Sequence, residues 1–249
     1  MSNRIPLVRR PLVPRFSLRL LLLATTILTV WLGLQVRKAR DRLAAVQTLR
    51  QAGARVTCDF QMPPRGVVTP DNWSPPDSDP RSSWARKLLG DEYFLNVESI
   101  TFWVGAADDM PPDLSEILAR FPELRYLSLS GDHLSDDQLK SIGQLRELEE
   151  LSIESQRVTD DGLRFLPELK NLTFLYLKGD GVTDASLEYL SGLAKLEILR
   201  LNSENITGSG LPHLWNLKNL YRFDYFHTWI QDDALQELWA RLPLLDAEF

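Results

Sequence analysis

The sequence predicts an α/β solenoid of stacked strand–helix units, preceded by a single apolar helix. Three observations predict this fold class: leucines recur every 24 residues between residues 124 and 243, an uncharged apolar run occupies residues 20–34, and basic residues are concentrated in the first 50 positions. The chain has 249 residues, of which 44% are hydrophobic and 25% are charged. This composition is ordinary for a globular protein, and it argues against disorder throughout, collagen and a multi-span membrane protein.

The net charge of −6 is divided unequally along the chain. The first 50 residues hold ten basic residues and one acidic residue, so they carry +9 and residues 51–249 carry −15. A basic segment on an acidic body favours contact between that segment and a membrane surface or a nucleic acid. Because phosphate binding needs clustered lysine and arginine, the acidic body itself argues against a nucleic-acid partner. Residues 1–15 are therefore predicted to be a basic N-terminal arm.

Residues 16–36 predict a single transmembrane anchor. As a helix they would span about 31 Å at about 1.5 Å per residue, which matches the roughly 30 Å hydrocarbon core of a bilayer. Arg19 lies close enough to one end to reach the headgroups, while Phe16 and Trp31 suit the interfaces. A buried core helix is disfavoured because five basic residues flank each side of the apolar run, and a cleaved signal peptide is disfavoured because no small-residue cleavage site follows it. Both remain alternatives.

The orientation of the anchor is nearly balanced, because equal numbers of basic residues lie on its two sides. A free terminal amine favours a cytoplasmic N-terminus, and long C-terminal domains are translocated largely regardless of their charge. These two points favour the repeat body on the extracytoplasmic side of a single-pass membrane protein.

Residues 37–53 predict a juxtamembrane helix that continues from the anchor. Their apolar residues, which include Leu43, Val46 and Leu49, are spaced as on one face of a helix. Gly53 follows the last of them and is a residue that commonly ends a helix.

Residues 54–96 predict a mixed segment between this helix and the repeats. It opens with a strand whose alternation places three apolar residues on one face, namely Val56, Cys58 and Phe60. Six prolines within residues 62–82 then indicate a linker. Residues 84–94 indicate a short helix.

The leucine repeat dominates the rest of the chain. Its strongest element is the pattern Leu-x-x-Leu-x-Leu or a close variant, which begins at residues 124, 148, 172, 196 and 220. Alternation in Leu-x-Leu predicts a strand with its leucines inward, and the leucine spacing that follows predicts a helix. Because no unit can bury its own apolar face, neighbouring units must stack around a continuous core.

These residues resemble the leucine-rich repeat family. The pattern LxxLxLxxxxVTDxGLxxLxxL is of that kind, and a 24-residue unit lies within the family's range. The resemblance is firm over residues 124–243 and looser over residues 97–123 and 244–249. The predicted repeat domain, residues 124–249, has five full repeats and a C-terminal half-repeat that begins at Leu244. It implies parallel strands on a concave face, helices on the convex face and a function in binding another protein. A second likeness, carried by the runs FSLRLLLL and WARKLLGDEYF, is to membrane-anchored leucine-rich repeat proteins of planctomycete bacteria.

Polar residues at the repeat junctions predict caps and turns. Residues 97–123 read as a divergent first repeat that caps the N-terminal end of the core. Ser135 and Gln138 predict a capping box, and helix starts are predicted at three equivalent threonines, Thr159, Thr183 and Thr207. The ninth position of the repeat is an asparagine in the family. Here it is occupied by Asp132, Gln156, Asp180, Glu204 and Thr228. Because carboxylates only accept hydrogen bonds, we expect a looser or more solvated turn at this position.

A protein-binding surface is predicted on the concave face, among the side chains that alternate with the inward leucines. Aromatic residues and arginine on an exposed sheet are typical of interfaces, and a local basic and aromatic strip stands out on an acidic body. The alternative is ordinary cross-strand packing on a solvated face. The candidate binding residues are Tyr126, Phe174, Tyr176, Lys178, Arg200, Arg222 and Phe226.

No catalytic, metal or cofactor site is predicted. The acidic pairs at 136–137, 160–161 and 232–233 recur at equivalent repeat positions, so helix capping explains them better than catalysis or calcium binding. The three histidines, His133, His213 and His227, fall at different repeat positions, and the single cysteine, Cys58, is expected to be a small buried residue. No GxGxxG, GxxxxGK[ST] or GxSxG pattern occurs.

The function that follows is a non-enzymatic, membrane-anchored module that binds another protein and uses no small-molecule substrate. A structural or envelope scaffold without a specific ligand is the main alternative. An adaptor of the F-box type is a weaker one, because residues 37–123 show no three-helix module. An enzyme comes last.

Overall fold

The computed structural model describes residues 18–58, 96–102, 111–132 and 134–245. The chain divides into two compact units, residues 1–38 and residues 39–249, and each is considered by itself. The predicted basic arm, proline-rich linker and short helix after the linker lie outside the described residues.

One helix, α1 (Leu18–Gln51), joins the predicted anchor and juxtamembrane helix without a break. In the first unit its apolar side chains from Leu20 to Leu34 are exposed. It is the one helix among the described residues that is long and apolar enough to cross a membrane, and its mean hydropathy reaches 1.7. A signal sequence meets the same test. α1 ends two residues before Gly53, whose φ of 81° is the left-handed conformation that follows many helices.

From Ala39 onward, α1 belongs to the second unit and contributes to its core. Val46 and Leu49 are buried in the same apolar cluster as the repeat leucines. Arg42 forms an ion pair with Glu123 at 2.8 Å, which ties the helix to the turn before the first regular repeat.

Seven strands form one sheet whose order follows the chain. They are β1 (Arg55–Cys58), β2 (Val97–Thr101), β3 (Tyr126–Ser130), β4 (Glu150–Glu154), β5 (Phe174–Lys178), β6 (Ile198–Asn202) and β7 (Arg222–Phe226). β1 is antiparallel to β2, and all later pairs are parallel. From β3 onward, neighbours pair at an offset of 24 residues, as Leu127 does with Leu151. This register confirms the predicted α/β solenoid.

The position of β1 differs from the predicted division of the chain. Residues 54–96 were predicted as a strand, a linker and a short helix before the repeats, and their strand, β1, is the first strand of the repeat sheet. Val56 and Cys58 are buried, as their alternation predicts, and Phe60 lies outside the described residues. Together with the second-unit part of α1, β1 lies at the N-terminal end of the core, where residues 97–123 alone were expected as a cap.

Short helical segments connect the strands and pack on the inner side of the sheet. The α-helices are α2 (Leu114–Leu118), α3 (Asp136–Ile142), α4 (Asp160–Leu163), α5 (Leu187–Leu190) and α6 (Asp232–Arg241), and 3₁₀ helices cover Leu166–Glu168, Asp184–Ser186 and Leu211–Asn216. Pro167 and Pro212 lie at the second position of 3₁₀ segments, where the N–H has no partner within the helix and proline is tolerated. The helix predicted to start at Thr207 starts instead at Leu211, because Gly208 adopts a φ of 99° between them.

The core is formed by the repeat leucines. The inward residues of β3 to β6 are at most 2% exposed. In β7 the equivalent positions hold Phe223 and Tyr225, which are only half-buried because this strand has a described neighbour on one side. Burial is therefore most complete in the middle of the solenoid.

The C-terminal half-repeat is displaced by one residue from its predicted register. Leu244, the expected first core residue, is 57% exposed, whereas Leu245 is 9% exposed. The buried Leu242 follows Leu217 by 25 residues rather than 24, and this extra residue shifts what comes after it. Residues 246–249 lie outside the described residues.

Acidic residues after the capping positions connect successive repeats. The predicted capping box is present, because the Ser135 N–H donates to Gln138 Oε1 at 3.0 Å. The structure adds a second role for the acid that directly follows the capping residue in three of the repeats. Its carboxylate accepts hydrogen bonds of 2.6–2.9 Å from the N–H and hydroxyl of a threonine in the next repeat, in the pairs Asp136–Thr159, Asp160–Thr183 and Asp184–Thr207.

In two of the turns a buried polar side chain lies one residue before the ninth position. Ser155 and Ser203, at the eighth position, are buried, and each hydroxyl donates at 2.7 Å to a carbonyl of the preceding repeat. At the ninth position Asp132 and Gln156 are exposed and accept an N–H from the next repeat. The solvated turn expected at the ninth position is thus confirmed.

The outer face of the sheet as a candidate binding site

The outer sheet face consists of the strand side chains that point away from the leucine core. In-register pairing arranges them in three rows across the strands. The first row is Tyr126, Glu150, Phe174, Ile198 and Arg222; the second is Ser128, Ser152, Tyr176, Arg200 and Asp224; the third is Ser130, Glu154, Lys178, Asn202 and Phe226. All seven predicted binding residues belong to these rows, and all are half-buried or exposed.

Four of the seven lie together on β5 and β6. Tyr176 is the direct neighbour of Arg200, and Phe174 and Lys178 flank Tyr176 along β5. The guanidinium carbon of Arg200 lies 5.5 Å from the centre of the Phe174 ring, a cation–π distance. These four residues form one continuous surface.

The remaining three are separated from that group. Tyr126 lies on β3, with the whole of β4 between it and Phe174. Arg222 and Phe226 lie at opposite ends of β7, and Phe226 is 50% exposed. Among the predicted residues, the expected side-by-side arrangement therefore applies to Phe174, Tyr176, Lys178 and Arg200, which we call the β5–β6 group. Arg200 connects this group to Asp224 on β7.

The basic character expected of this strip is offset by carboxylates on the same face. Lys178 forms a short ion pair with Glu154 on the adjacent strand. Asp224 accepts hydrogen bonds from Arg200 Nε at 2.7 Å and from Arg222 Nε at 3.0 Å. The hydrogen bond with Glu154 raises the pKa of Lys178, so its ammonium stays charged at neutral pH. Three cations and two acids are thus already paired with one another.

A hollow that was not predicted lies in the N-terminal half of the outer sheet face. Its volume is about 220 Å³, and its lining is formed by Ser99, Thr101, Tyr126, Leu127, Ser128, Glu150, Ser152 and Phe174. Small hydroxyl side chains in the second row leave space between the two larger aromatic rings of the first row. The contrast in side-chain size is visible in the sequence. The hollow could still not be predicted, because Ser99 and Thr101 belong to β2, and the 24-residue leucine period does not define the register of β2.

Arg125, which directly precedes β3, binds two of the acids near this hollow. Its Nη1 donates to Glu98 Oε1 at 3.3 Å, and its Nη2 donates to the two Glu149 oxygens at 2.7 and 2.8 Å. Glu150 forms no ion pair within the part of the chain that the structure describes. Partial burial raises the pKa of Glu150, and the neighbouring Glu149 carboxylate raises it further.

Exposed aromatic residues near β7 were also missed by the sequence analysis. Trp229 is 66% exposed and Tyr221 is 43% exposed. Neither residue occupies a strand position of the repeat, and the predicted binding residues were all at strand positions. Tyr221 directly precedes β7, and Trp229 follows it by three residues.

The remaining candidates for chemistry do not come together. No group of three or more histidine, cysteine, aspartate or glutamate side chains suited to a metal occurs among the described residues. His213 and His227 are exposed on different repeats, and His133 lies outside the described residues. Cys58 is a buried cysteine within β1.

Comparison with known proteins yields structural neighbours only. No protein-family model matches the chain, and no curated protein matches it. A chain of the yeast Rad7–Elc1 complex matches 91% of this chain and 57% of its own length, at 17% identity and a TM-score of 0.52. A leucine-rich repeat protein of Leptospira interrogans matches 54% of this chain and 33% of its own (21% identity, TM-score 0.40). An internalin of Listeria monocytogenes matches 52% and 42% (20% identity, TM-score 0.37).

This chain spans between 33% and 57% of the length of those three proteins. At these identities the likeness concerns the fold alone. The parallel strands, which pair at a 24-residue offset, indicate the same repeat fold. Together these observations show that the chain has the leucine-rich repeat fold.

Proposed function

We propose that the chain is a non-enzymatic, membrane-anchored protein whose outer sheet face binds another protein. The observation that carries this proposal is the continuous surface of Phe174, Tyr176, Lys178 and Arg200 on a rigid parallel sheet. Aromatic residues and arginine contribute most of the binding energy in many protein interfaces. Because the leucines beneath these residues are fully buried, the face is ordered before a partner arrives, which reduces the entropic cost of association.

The membrane part of the proposal rests on the first unit. The exposed apolar side chains of α1 between Leu20 and Leu34 need a nonpolar environment, which a bilayer core supplies. Basic residues before and after this stretch are suited to the headgroups on either side. We propose that the repeat body lies on the extracytoplasmic side. Protease added to intact cells should then digest the repeat body, and protection of the body would reverse the orientation.

The first prediction concerns the β5–β6 group and Phe226. A triple variant, Tyr176→Ala, Arg200→Gln and Phe226→Ala, should lose its discrete crosslinked partner in cells because it removes the principal aromatic and guanidinium contacts. Arg222 continues to pair with Asp224 in this variant, so the local charge balance changes little. Thermal unfolding followed by circular dichroism should be nearly unchanged, because all three residues lie outside the core.

The matched control changes three exposed residues outside the outer sheet face, in the connecting segments, namely Lys140→Ala, Lys170→Ala and Glu188→Ala. It should keep the crosslinked partner. Loss of the partner in the control, or retention in the triple variant, would contradict the proposal.

A structural scaffold without a specific ligand is the second candidate. The observation that favours it is the mutual neutralisation of Lys178, Arg200 and Arg222 by carboxylates on the same face, since paired charges offer less to a partner. Crosslinking separates the two candidates. A scaffold would give a diffuse distribution of products that the triple variant leaves unchanged.

A further inference from the structure

The hollow around Glu150 has the size of a single side chain. Tyr126, Glu150 and Phe174 are direct neighbours on three successive strands. At about 4.8 Å between strands, the two rings stand roughly 10 Å apart with the carboxylate between them. The volume of about 220 Å³ is below the roughly 300–1,000 Å³ typical of sites for drug-sized molecules. The hollow therefore suits one side chain of an extended segment rather than a free metabolite.

The charges around the hollow select a cation. On the outer sheet face Glu154 is paired with Lys178, and Asp224 is paired with two arginines. Arg125 is engaged by Glu98 and Glu149. Glu150 is thus the acid of this face that has no ion pair among the described residues. A cation that enters the hollow would form an ion pair with its carboxylate.

The Phe174 ring beside Glu150 is suited to the same ligand, whereas the guanidinium carbon of Arg125 already lies 5.7 Å from the centre of the Tyr126 ring. Arg200 approaches the Phe174 ring at 5.5 Å from β6, which is the side away from Glu150. The hollow lies on the β4 side of that ring, so a second cation can approach from there. The hydroxyls of Ser128 and Ser152 line the same space and can accept hydrogen bonds from an ammonium or a guanidinium group.

We propose that the Glu150 hollow binds a lysine or arginine side chain of an extended segment of the partner protein, held by the Glu150 carboxylate between the Tyr126 and Phe174 rings. This inference rests on the proposed function, because it names the chemistry by which the outer sheet face recognises its partner. Glu150 lies on β4 and Arg200 on β6, two strands away, although Phe174 borders both sites. Variants at Glu150 and at Arg200 therefore test the two sites separately.

The test uses the full chain in nanodiscs of zwitterionic lipid, so that cationic peptides are not drawn to the membrane. The probes are three labelled peptides, acetyl-Ser-Thr-Xaa-Ser-Thr-amide, in which Xaa is lysine, norleucine or glutamate. Norleucine has an aliphatic side chain similar to that of lysine but no charge. Fluorescence anisotropy should show the lysine peptide binding about tenfold more tightly than the norleucine peptide, and the glutamate peptide binding more weakly still.

The variant Glu150→Gln should bind the lysine and norleucine peptides equally. Its matched control is Glu147→Gln, which makes the same charge change at an exposed position three residues earlier, outside the strand, and should keep the discrimination. Glu150 is an exposed strand residue with no ion pair among the described residues, so Glu150→Gln should fold about as well as the wild type, and a thermal melt checks this. Equal binding of lysine and norleucine by the wild type, or retained discrimination in Glu150→Gln, would overturn the proposal. Preferential binding of the glutamate peptide would do so as well.

The outcomes separate this inference from the proposed function. If the wild type does not discriminate between the peptides but the triple variant still loses its crosslinked partner, only the assignment of the hollow is wrong. If the triple variant also keeps its partner, the outer sheet face is not the binding surface and both proposals fail.

Discussion

Asp184 shows how one carboxylate connects two repeats. It accepts hydrogen bonds from the N–H groups of Thr207, Gly208 and Gly210 and from the Thr207 hydroxyl, at 2.7–3.1 Å. Burial alone would raise the pKa of Asp184, but the hydrogen bonds from Thr207 and Gly210 outweigh it and lower the pKa below the ordinary value of 3.8. A carboxylate with a lowered pKa stabilises the fold at neutral pH, and this contribution is lost as the pH falls through the pKa of the folded state.

Replacement of Asp184 by alanine should therefore lower the free energy of unfolding by about 2 kcal/mol at pH 7, because several N–H groups lose a charged acceptor. Asp161→Ala is the matched control, since this acid is exposed and lies in the first turn of a repeat helix, two residues after the capping Thr159. Its cost should stay within about 0.5 kcal/mol. Urea unfolding of the full chain in detergent measures both. The difference between wild type and Asp184→Ala should shrink as the pH falls below 3.8. Equal losses in the two variants would contradict the inter-repeat role.

At the level of elements, the leucine spacing was sufficient to predict β3 to β7, because each inward leucine must meet the equivalent one in the next repeat. Features that depend on backbone conformation were not visible in that spacing. Gly179 lies in the turn after β5, and a Cβ there would stand 2.0 Å from the Ser155 carbonyl oxygen, so a glycine is required beside the buried serine of the previous repeat. The antiparallel pairing of β1 was missed for another reason: β1 lies far from β2 in the sequence and has no leucine repeat of its own.

The one-residue shift at the C-terminal end can be tested with two leucines. Leu175→Ala, in the middle of β5, should lower the free energy of unfolding by about 2–5 kcal/mol because it leaves a cavity in a packed core. Leu244→Ala should change the free energy by less than about 0.5 kcal/mol, since this side chain is exposed. Urea denaturation compares them directly. If Leu244→Ala lowered the free energy of unfolding as much as Leu175→Ala does, Leu244 would be a core residue, as the unshifted 24-residue register predicts.

Across the whole molecule, the 24-residue period also determines which side chains are neighbours on the outer sheet face. Lys178 and Glu154 differ by 24 positions, as do Arg200 and Asp224, so their pairing was implicit in the sequence. The predicted binding residues were cations and aromatic residues only, so the acids that neutralise the cations in the same rows were not included. The Glu150 hollow could not be predicted from the period, because it depends on relative side-chain sizes and on the register of β2.

The central claim is that the outer sheet face, and not the helical side, contacts a protein partner. Site-specific photo-crosslinking in cells tests it most directly, with the photoreactive residue placed at Tyr176 on β5 or at the exposed Glu188 on α5. We predict one discrete crosslinked product from position 176 and none from position 188. A discrete product from position 188 alone, or the same diffuse products from both positions, would contradict the account.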